Sequence, residues 1–378
     1  MGFLHINLPA NSFHANLLAK RWEEADRDKL GLDVLGKSGL PVSLSYQGIC
    51  KIMWPWIEEM KKYPNIEILS SNFGHALPLH LSPDMFDWEV KNGVNGVSVR
   101  FLPEYCCPSE KLIFPENFFW TTEGYYSLHS SDKKHLNDFI NSSFPAIKYG
   151  SKVAIIMKER LFGKFLRAFF LFQKEPNNNF LLNNLMQEIE QIGNLPEKVV
   201  VICPLDPEVI YTGSKFSGPE IWSIFVKEVR QRGLEGIFTS IKRHLDYFWE
   251  NSKEKNMPHK DLDKWTAFSC QKKFSDQIRA EMPKTERGRI LYSLAATSDI
   301  LAAWWFKRNP GAKVIAARDR NGRFCKIIIK YNPELIKIPL LAFSALKSGE
   351  SFHEKLNRIN PKSLFVQRLI TFAQERKL

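Results

Sequence analysis

The chain has 378 residues, which is long enough for a large hydrophobic core and for more than one domain. Its hydrophobic content of 44% and charged content of 25% are those of an ordinary globular protein, and no apolar run approaches the ~20 residues that a membrane-spanning helix needs. The six cysteines form no C-x-x-C motif, so neither a zinc ribbon nor a disulfide scaffold is indicated. With no signal-peptide pattern at the amino terminus, we expect a cytoplasmic protein.

The net charge of +12 is unevenly distributed along the chain. Residues 239–378 contain 28 Lys and Arg against 14 Asp and Glu, whereas residues 1–238 contain 25 against 27. The positive excess therefore lies in the carboxyl-terminal third. Such a field attracts anionic polymers, although a merely solubilising basic surface has the same composition.

The first 240 residues predict an alternation of buried strands and helices. Apolar runs predict strands over residues 2–8, 41–46, 65–71, 96–102, 114–120, 152–157, 198–205 and 236–239. Helical spacing of apolar residues predicts helices over residues 16–34, 48–63, 82–92, 132–141, 160–172, 180–192 and 218–232. This rhythm indicates an α/β protein with a parallel sheet and crossover helices.

The regular alternation of predicted strands and helices stops after residue 250. Residues 251–264 read as a linker, and residues 285–306 predict a long helix. Asn321-Gly322 between two β-rich runs predicts a basic hairpin over about residues 312–331. Two helices, over residues 351–357 and 362–376, complete the chain. We therefore expect a barrel-type domain over residues 1–250 and a smaller, mainly helical region with this hairpin over residues 251–378.

Acidic residues follow two of the predicted strands at the point where each strand ends. Glu104 comes after the strand at 96–102, and Asp206, with Glu208 two residues on, comes after the strand at 198–205. In α/β barrels the active site lies at the carboxyl ends of the strands. Two carboxyl groups in one pocket, one protonated and one ionised, are what cleavage of a glycosidic bond requires. A lone acid after a strand is more often a helix cap or a surface group.

Five segments resemble, in their order and spacing, the motifs of family 57 glycoside hydrolases. They are Pro41-Val42-Ser43-Leu44-Ser45, the stretch 66–79 with His75, Phe101-Leu102-Pro103-Glu104, Asp206-Pro207-Glu208, and the stretch 298–305 with Asp299, Trp304 and Trp305. The resemblance covers about residues 2–306. It implies a distorted seven-stranded (β/α) barrel followed by helices, and a substrate of α-glucan-like oligo- or polysaccharide.

The resemblance also implies roles for individual residues. Glu104 would be the nucleophile and Asp206 the general acid/base of a retaining mechanism, with their carboxyl groups ~5–5.5 Å apart. The substrate-binding residues that it implies are His5, His75, Glu208, Asp299 and Trp304. It implies no metal and no cofactor.

The first strand departs from the family pattern, His-x-His-Gln-Pro. The matching stretch is His5-Ile6-Asn7-Leu8-Pro9, so that Asn7 and Leu8 replace the second His and the Gln. This change favours a second hypothesis, a non-catalytic relative that binds a saccharide, or an anionic polymer through its basic carboxyl-terminal region. The retained Glu104 and Asp206 favour an enzyme. The sequence leaves open the sugar, the linkage, hydrolysis against transfer, and the oligomeric state.

Overall fold

The computed structural model describes most of the regular elements of the chain. The described residues are 1–10, 32–76, 81–101, 116–121, 146–157, 165, 168, 180–195, 199–205, 218–254, 277–278, 280–297, 315–318, 324–327, 337–359 and 363–378. In this part of the chain, no helix is both long and apolar enough to cross a membrane.

Seven parallel strands close into a barrel. The strands of the main sheet are β1 (Phe3–Ala10), β2 (Val42–Tyr46), β3 (Ile66–Ser71), β4 (Val97–Phe101), β5 (Asn117–Thr121), β6 (Ala146–Tyr149), β7 (Lys152–Met157), β8 (Val200–Pro204) and β9 (Lys253–Glu254). Going round the barrel, the order is β1-β2-β3-β4-β5-β7-β8, and β8 pairs with β1 again. The expected seven-stranded (β/α) barrel is therefore confirmed.

The barrel is least regular between β7 and β8, which pair only through Met157 and Ile202. The amino-terminal part of β7 pairs instead with β6, an antiparallel strand outside the barrel order. Gly150, with φ of +57°, makes the tight turn between β6 and β7, a conformation that glycine adopts without steric cost. This seam is the distortion of the barrel.

Helices surround the barrel and form the carboxyl-terminal region. They are α1 (Leu32–Ser38), α2 (Cys50–Met53), α3 (Pro83–Asn92), α4 (Phe180–Gly193), α5 (Gly218–Gln231), α6 (Leu245–Glu250), α7 (Glu286–Ala295), α8 (Lys337–Ser348), α9 (Phe352–Leu356) and α10 (Leu364–Glu375), with 3-10 turns at Pro55–Lys62, Glu235–Ile237 and Lys242–His244. Side-chain oxygens of Ser82 and Thr285 cap α3 and α7 by accepting backbone N–H groups.

Strand alternation separates two hydrophobic cores. On β1, Leu4, Ile6 and Leu8 point outward and are buried in the core that the barrel shares with the helices. The barrel interior has its own core, formed by Leu69, Val99, Phe101, Phe119, Ala146, Val153, Ile155, Met157, Val200, Ile202, Ile241 and Phe248. Ile241 and Phe248 come from the chain after α5 and close the amino-terminal end of the barrel. The carboxyl ends of the parallel strands lie at the opposite end of the barrel.

Three sequence predictions about these elements are wrong. The strand expected over residues 236–239 is a 3-10 turn, and only Phe238 makes a single bridge, to Leu4. The helix expected over 48–63 is interrupted, because Pro55 cannot continue α2 and starts a 3-10 helix instead. The helix expected over 285–306 ends at Ala295, where the chain turns so that Thr297 can pair with Ala76.

The other regular elements of the carboxyl-terminal region agree with the sequence in part. The hairpin forms, with strand β10 (Ile315–Arg318) antiparallel to β11 (Phe324–Ile327), while its Asn321-Gly322 turn lies outside the described residues. Helices α9 and α10 confirm the last two predicted helices. Helix α8 is an element that the sequence reading missed.

Candidate functional site

Polar side chains replace the apolar core inside the barrel where β1 lies beside β2. His5 and Asn7 on β1 and Ser43 and Ser45 on β2 are all fully buried. Their positions alternate with outward-facing apolar residues, as in Val42-Ser43-Leu44-Ser45-Tyr46, so both strands present their polar face to the interior. The register aligns Asn7 with Ser43 across the strand pair. These four residues form one hydrogen-bonded group, here called the floor network.

His5 is the deepest member of the floor network. Its Nδ1 lies 2.8 Å from the Thr239 carbonyl oxygen and its Nε2 lies 2.8 Å from Ser43 Oγ. Since a carbonyl can only accept, Nδ1 donates its proton to Thr239, and a neutral ring then accepts at Nε2. Burial is the main reason that the pKa of His5 falls to about 4. The ring is therefore neutral at physiological pH, and both of its nitrogens are engaged within the protein.

Asn7 carries the remaining hydrogen-bonding capacity of the floor network. Its Oδ1 lies 2.9 Å from Ser43 Oγ and 3.4 Å from Ser45 Oγ. Ser43 has one proton to give, to His5 or to Asn7, so its hydroxyl couples these two side chains. The Asn7 amide nitrogen Nδ2 is buried without a hydrogen-bond partner among the described residues. A buried unpaired donor is costly, and Asn7 Nδ2 is one of the few such atoms among the described residues.

The loop that follows β3, residues 72–76, is fixed by its neighbours and is here called the β3 loop. Gly48 N–H donates to the Asn72 carbonyl (3.0 Å), and Ile49 N–H donates to the Phe73 carbonyl (2.8 Å). Gly74 N–H donates to a carboxyl oxygen of Glu89, at 2.7 Å. His75, a sequence candidate, lies in this loop with 6% of its surface exposed.

A buried arginine holds the start of the β3 loop. Arg100, on the outer face of β4, is only 1% exposed and binds both carboxylate oxygens of Glu116, at 2.7 and 3.1 Å. Its third contact is from Nη1 to Asn72 Oδ1, at 3.1 Å. A bidentate pair of this kind fixes direction as well as distance. The Asn72 Nδ2 atom, like Asn7 Nδ2, is buried and has no partner among the described residues.

The end of the β3 loop meets the carboxyl-terminal region. Ala76 pairs with Thr297 as an isolated antiparallel bridge. On the neighbouring α3, the Trp88 indole N–H donates to Glu286 of α7, at 2.9 Å. Helix α7 is therefore fixed against the rim of the barrel on the side where His75 lies.

The other sequence candidates, Glu104, Asp206, Glu208, Asp299 and Trp304, lie outside the described residues. Two described strands nevertheless end a few residues before Glu104 and Asp206 in sequence. Strand β4 ends at Phe101, and after β8 the Leu205 N–H donates to the Asn7 carbonyl at 2.7 Å. Within the described residues, no group of three or more His, Cys, Asp and Glu side chains is arranged to hold a metal.

No protein-family model matches the sequence, and no curated protein matches it. Among solved structures, a GH57-type branching enzyme from the hyperthermophilic archaeon Pyrococcus horikoshii aligns with a TM-score of 0.50 at 12% identity, over 97% of this chain and 94% of that one. This likeness establishes the fold.

Two further structures align with lower scores. A 4-alpha-glucanotransferase from Thermococcus litoralis has a TM-score of 0.42 at 13% identity, over 82% of this chain and 52% of that one. An exo-type maltose-forming amylase from Pyrococcus sp. ST04 has a TM-score of 0.43 at 10% identity, over 97% and 72%.

Sequence reasoning missed several residues that shape this region. Glu89 and Arg100 lie between apolar neighbours and show no motif, whereas Ser45 lies within the second-strand segment but was assigned no role. The alternation of Ser with apolar residues in β2 was the one available signal for a polar barrel interior. The partners of Glu89 and Arg100 come from other elements, so no local sequence pattern predicts these contacts.

Proposed function

We propose that this protein is a carbohydrate-active enzyme of the glycoside hydrolase family 57 type, a retaining hydrolase or glucanotransferase of α-glucan-like oligo- and polysaccharides. One observation carries the proposal: the protein has a closed seven-stranded parallel barrel with a polar interior. The floor network lies beneath the carboxyl ends of the strands, and two of these strands lead in sequence to Glu104 and Asp206. The fold shared with a GH57-type branching enzyme over 97% of this chain supports it.

The two proposed catalytic acids follow strands on opposite sides of the barrel. Glu104 comes three residues after the end of β4, and Asp206 comes two residues after the end of β8. Going round the closed barrel, β4 and β8 are separated by two strands in one direction and by three in the other, so we propose that the acids that follow their carboxyl ends face each other across the mouth. A sugar ring bound between them has one carboxyl group on each side.

The proposed chemistry has two balanced steps. In the first, the Glu104 carboxylate forms a bond to the anomeric carbon while Asp206 gives its proton to the departing glycosidic oxygen. In the second, Asp206 takes a proton from water or from an acceptor hydroxyl, whose oxygen displaces Glu104 from the anomeric carbon. Water as acceptor gives hydrolysis, and a sugar hydroxyl gives transfer.

Substrate binding is assigned to the rim and the floor. His75 on the β3 loop and Asp299, two residues after the Thr297 that pairs with Ala76, are proposed to bind sugar hydroxyls from one side. Glu208 and Trp304 are the further proposed contacts. His5 is buried with both nitrogens engaged, so we assign its contribution to the Ser43 and Asn7 hydrogen bonds above it. Residues 1–250 form the proposed catalytic unit of a cytoplasmic enzyme.

The test is activity on a panel of maltooligosaccharides, amylose and glycogen. We expect the Glu104→Gln and Asp206→Asn variants to lose at least about 100-fold in turnover. Glu354→Gln, on the exposed face of α9, is the matched control and should keep full activity. Product NMR should show retention of the anomeric configuration. Equal turnover by wild type and Glu104→Gln would remove Glu104 from the mechanism.

A second candidate function is saccharide or anionic-polymer binding without catalysis. It is favoured by Asn7, which stands where the family pattern has a histidine, and by the 28 Lys and Arg against 14 Asp and Glu of residues 239–378. Retention on heparin that falls steeply with salt, in a protein inactive on every glucan, would support this function.

A further inference from the structure

Glu89 is a fully buried carboxylic acid between the barrel and the carboxyl-terminal helices. It lies on α3, with 0% of its surface exposed. Its Oε2 accepts the Gly74 N–H at 2.7 Å, and its main-chain carbonyl accepts the Phe73 N–H at 2.9 Å. One residue therefore bonds two consecutive N–H groups of the β3 loop, directly before His75.

The other carboxyl oxygen of Glu89 faces α7. Oε1 lies beside the Ser293 hydroxyl, but the two atoms make no hydrogen bond of ordinary geometry, and neither has another partner among the described residues. The β3 loop approaches α7 closely at this point, since a Cβ added to Gly74 would lie 2.2 Å from Ser293 Oγ and 3.5 Å from Glu89 Oε1. The loop, α3 and α7 thus converge at this carboxyl group.

Two more contacts tie the same three elements together. The Trp88 indole, next to Glu89 in sequence, packs edge-on against the Phe73 ring with centroids 5.1 Å apart and donates to Glu286 on α7. Ala76 pairs with Thr297, just beyond the end of α7. The loop, α3 and α7 are therefore linked by contacts on both sides of Glu89.

We infer that Glu89 is a positioning residue, which in its neutral form holds the His75-bearing β3 loop against α7 and thereby sets the alkaline limit of substrate binding. The inference rests on the proposed function, because it concerns the same site. A protonated Oε1 donates to Ser293 Oγ while Oε2 accepts from Gly74, and both buried partners are satisfied. An ionised Glu89 leaves a buried charge beside an apolar interface, which favours opening of the junction to water.

The acidity of Glu89 is consistent with this role. Burial raises the pKa of Glu89 to about 7, although the nearby Ser293 hydroxyl and the N–H groups of Gly74 and Phe73 act in the opposite direction. The side chain therefore changes from neutral to charged across the physiological range. An ordinary surface glutamate has lost its proton well below this range.

Charged side chains near Glu89 are not the cause of its raised pKa. The ionisable residues of the loop and of α7 are His75, Glu286, Arg287, Arg289 and Tyr292. The α3 positions one turn away from Glu89 carry none. The causes of the shift are burial and hydrogen bonding, and no charged neighbour is among them. Replacing Glu89 alone should therefore remove the effect.

The test compares wild type, Glu89→Gln and the control Glu354→Gln from about pH 5 to about pH 9. The glutamine side chain is isosteric with the neutral acid and keeps the acceptor for the Gly74 N–H, so the variant should fold. Amide hydrogen exchange of the segment around Gly74 is measured at each pH, together with kcat and KM on a maltooligosaccharide. Comparison at equal pH cancels the intrinsic pH dependence of exchange.

We expect exchange at Gly74 to become about tenfold faster in wild type than in Glu89→Gln once the pH is well above 7, and KM to rise with it more than kcat falls. Glu354→Gln should follow wild type. Identical exchange profiles in wild type and Glu89→Gln would overturn the inference, even in a fully active enzyme. A protein inactive on every glucan but with the expected exchange difference would instead overturn the proposed function and leave Glu89 as the holder of the loop.

Discussion

Ala76 and Thr297 pair backbone to backbone at the rim of the barrel, although one follows the third strand and the other follows a helix of the carboxyl-terminal region. Helix α7 ends at Ala295, earlier than the sequence predicts, and the bridge follows two residues later. It lies beside His75 and just before Asp299 in sequence. We propose that the carboxyl-terminal region forms one wall of the site. The predictions that follow test this junction and the floor beneath it.

Gly74→Ala should destabilise the junction, because the added Cβ would stand 2.2 Å from Ser293 Oγ. We expect the free energy of unfolding to fall by about 1–3 kcal/mol, the usual cost of overpacking. Ser293→Ala removes the obstructing oxygen, so the double variant should recover most of this loss. Urea unfolding of the four proteins in the cycle measures the coupling.

Gly236→Ala is the matched control for this cycle, since a Cβ at Gly236 meets nothing within 4 Å. It should change stability by less than about 0.5 kcal/mol. A Gly74→Ala protein as stable as this control, or one that Ser293→Ala fails to restore, would contradict the close approach of the β3 loop to α7.

Arg100→Met should cost about 3–5 kcal/mol of folding stability, because it leaves Asn72 and the carboxylate of Glu116 without their buried partner. Arg100→Lys should recover only part of this loss, since an ammonium group cannot replace the bidentate geometry. Lys62→Met, in a surface pair with Glu59, is the control and should cost about 0–1 kcal/mol. Chemical denaturation distinguishes these outcomes; equal losses at Arg100 and Lys62 would refute the assigned role.

His5 should make the protein sensitive to acid. Burial lowers its folded-state pKa from 6.5 to about 4, so the unfolded chain binds the proton more readily. Its contribution is present above pH 6.5 and is lost as the pH falls through about 4, at most about 3 kcal/mol. His5→Gln should therefore remove this contribution to the slope of stability with pH, as measured by urea unfolding. An unaltered slope in His5→Gln would count against a neutral buried ring.

Glu89 should act with the opposite sign in nearly the same window. Its folded-state pKa is raised from 4.5 to about 7, so its contribution is complete below pH 4.5 and is lost as the pH rises through 7. Glu89→Gln should thus be more stable than wild type at about pH 8, by up to about 3 kcal/mol. The effects of His5 and Glu89 on the slope of stability with pH partly cancel in wild type. Each single variant should show the pH dependence that the remaining residue contributes. Parallel plots of stability against pH for wild type, His5→Gln and Glu89→Gln would contradict both assignments.

Asn7→Ala should weaken substrate binding and, because it also removes the Oδ1 that accepts from Ser43 and Ser45, should cost about 1–3 kcal/mol of folding stability. It removes the free Nδ2 donor, and the loss of one neutral hydrogen bond to a ligand should raise KM about 5-fold. Ser45→Ala removes only the longer contact to Asn7, of 3.4 Å, and serves as the milder control. Kinetics on maltooligosaccharides give the comparison. An unchanged KM in Asn7→Ala would place the substrate away from the floor.

The strands could be read from the sequence because each is a short run of β-forming residues that ends in turn-forming ones. Seven of the predicted strands lie within a few residues of β1, β2, β3, β4, β5, β7 and β8. Helix α8 and the four-residue strand β6 have no counterpart among the predicted elements. In the segment over residues 48–63, Pro55 indicates either a position in the first turns or a kink, and the structure has the break at that residue.

The candidate site divides in the same way. His5 and His75 were found from their motifs, since a motif is a local property of the chain. The Asn7 amide could be named from the sequence only as a substitution, and its free donor became visible only with Ser43 and Ser45 in place around it. Glu89 and Arg100 were invisible, because their importance depends on partners such as Ser293 and Glu116 from other elements.

By itself, the sequence determined the order of strands and helices, the parallel class of the sheet and the acids that follow β4 and β8. These depend on residue propensity and spacing, which are local. Only the tertiary structure decided that β5 pairs with β7 to close the barrel, that the floor of the barrel is polar, and that α7 is held against the β3 loop through Glu89. These depend on burial and on hydrogen bonds between distant segments, and burial exists only once the chain has folded.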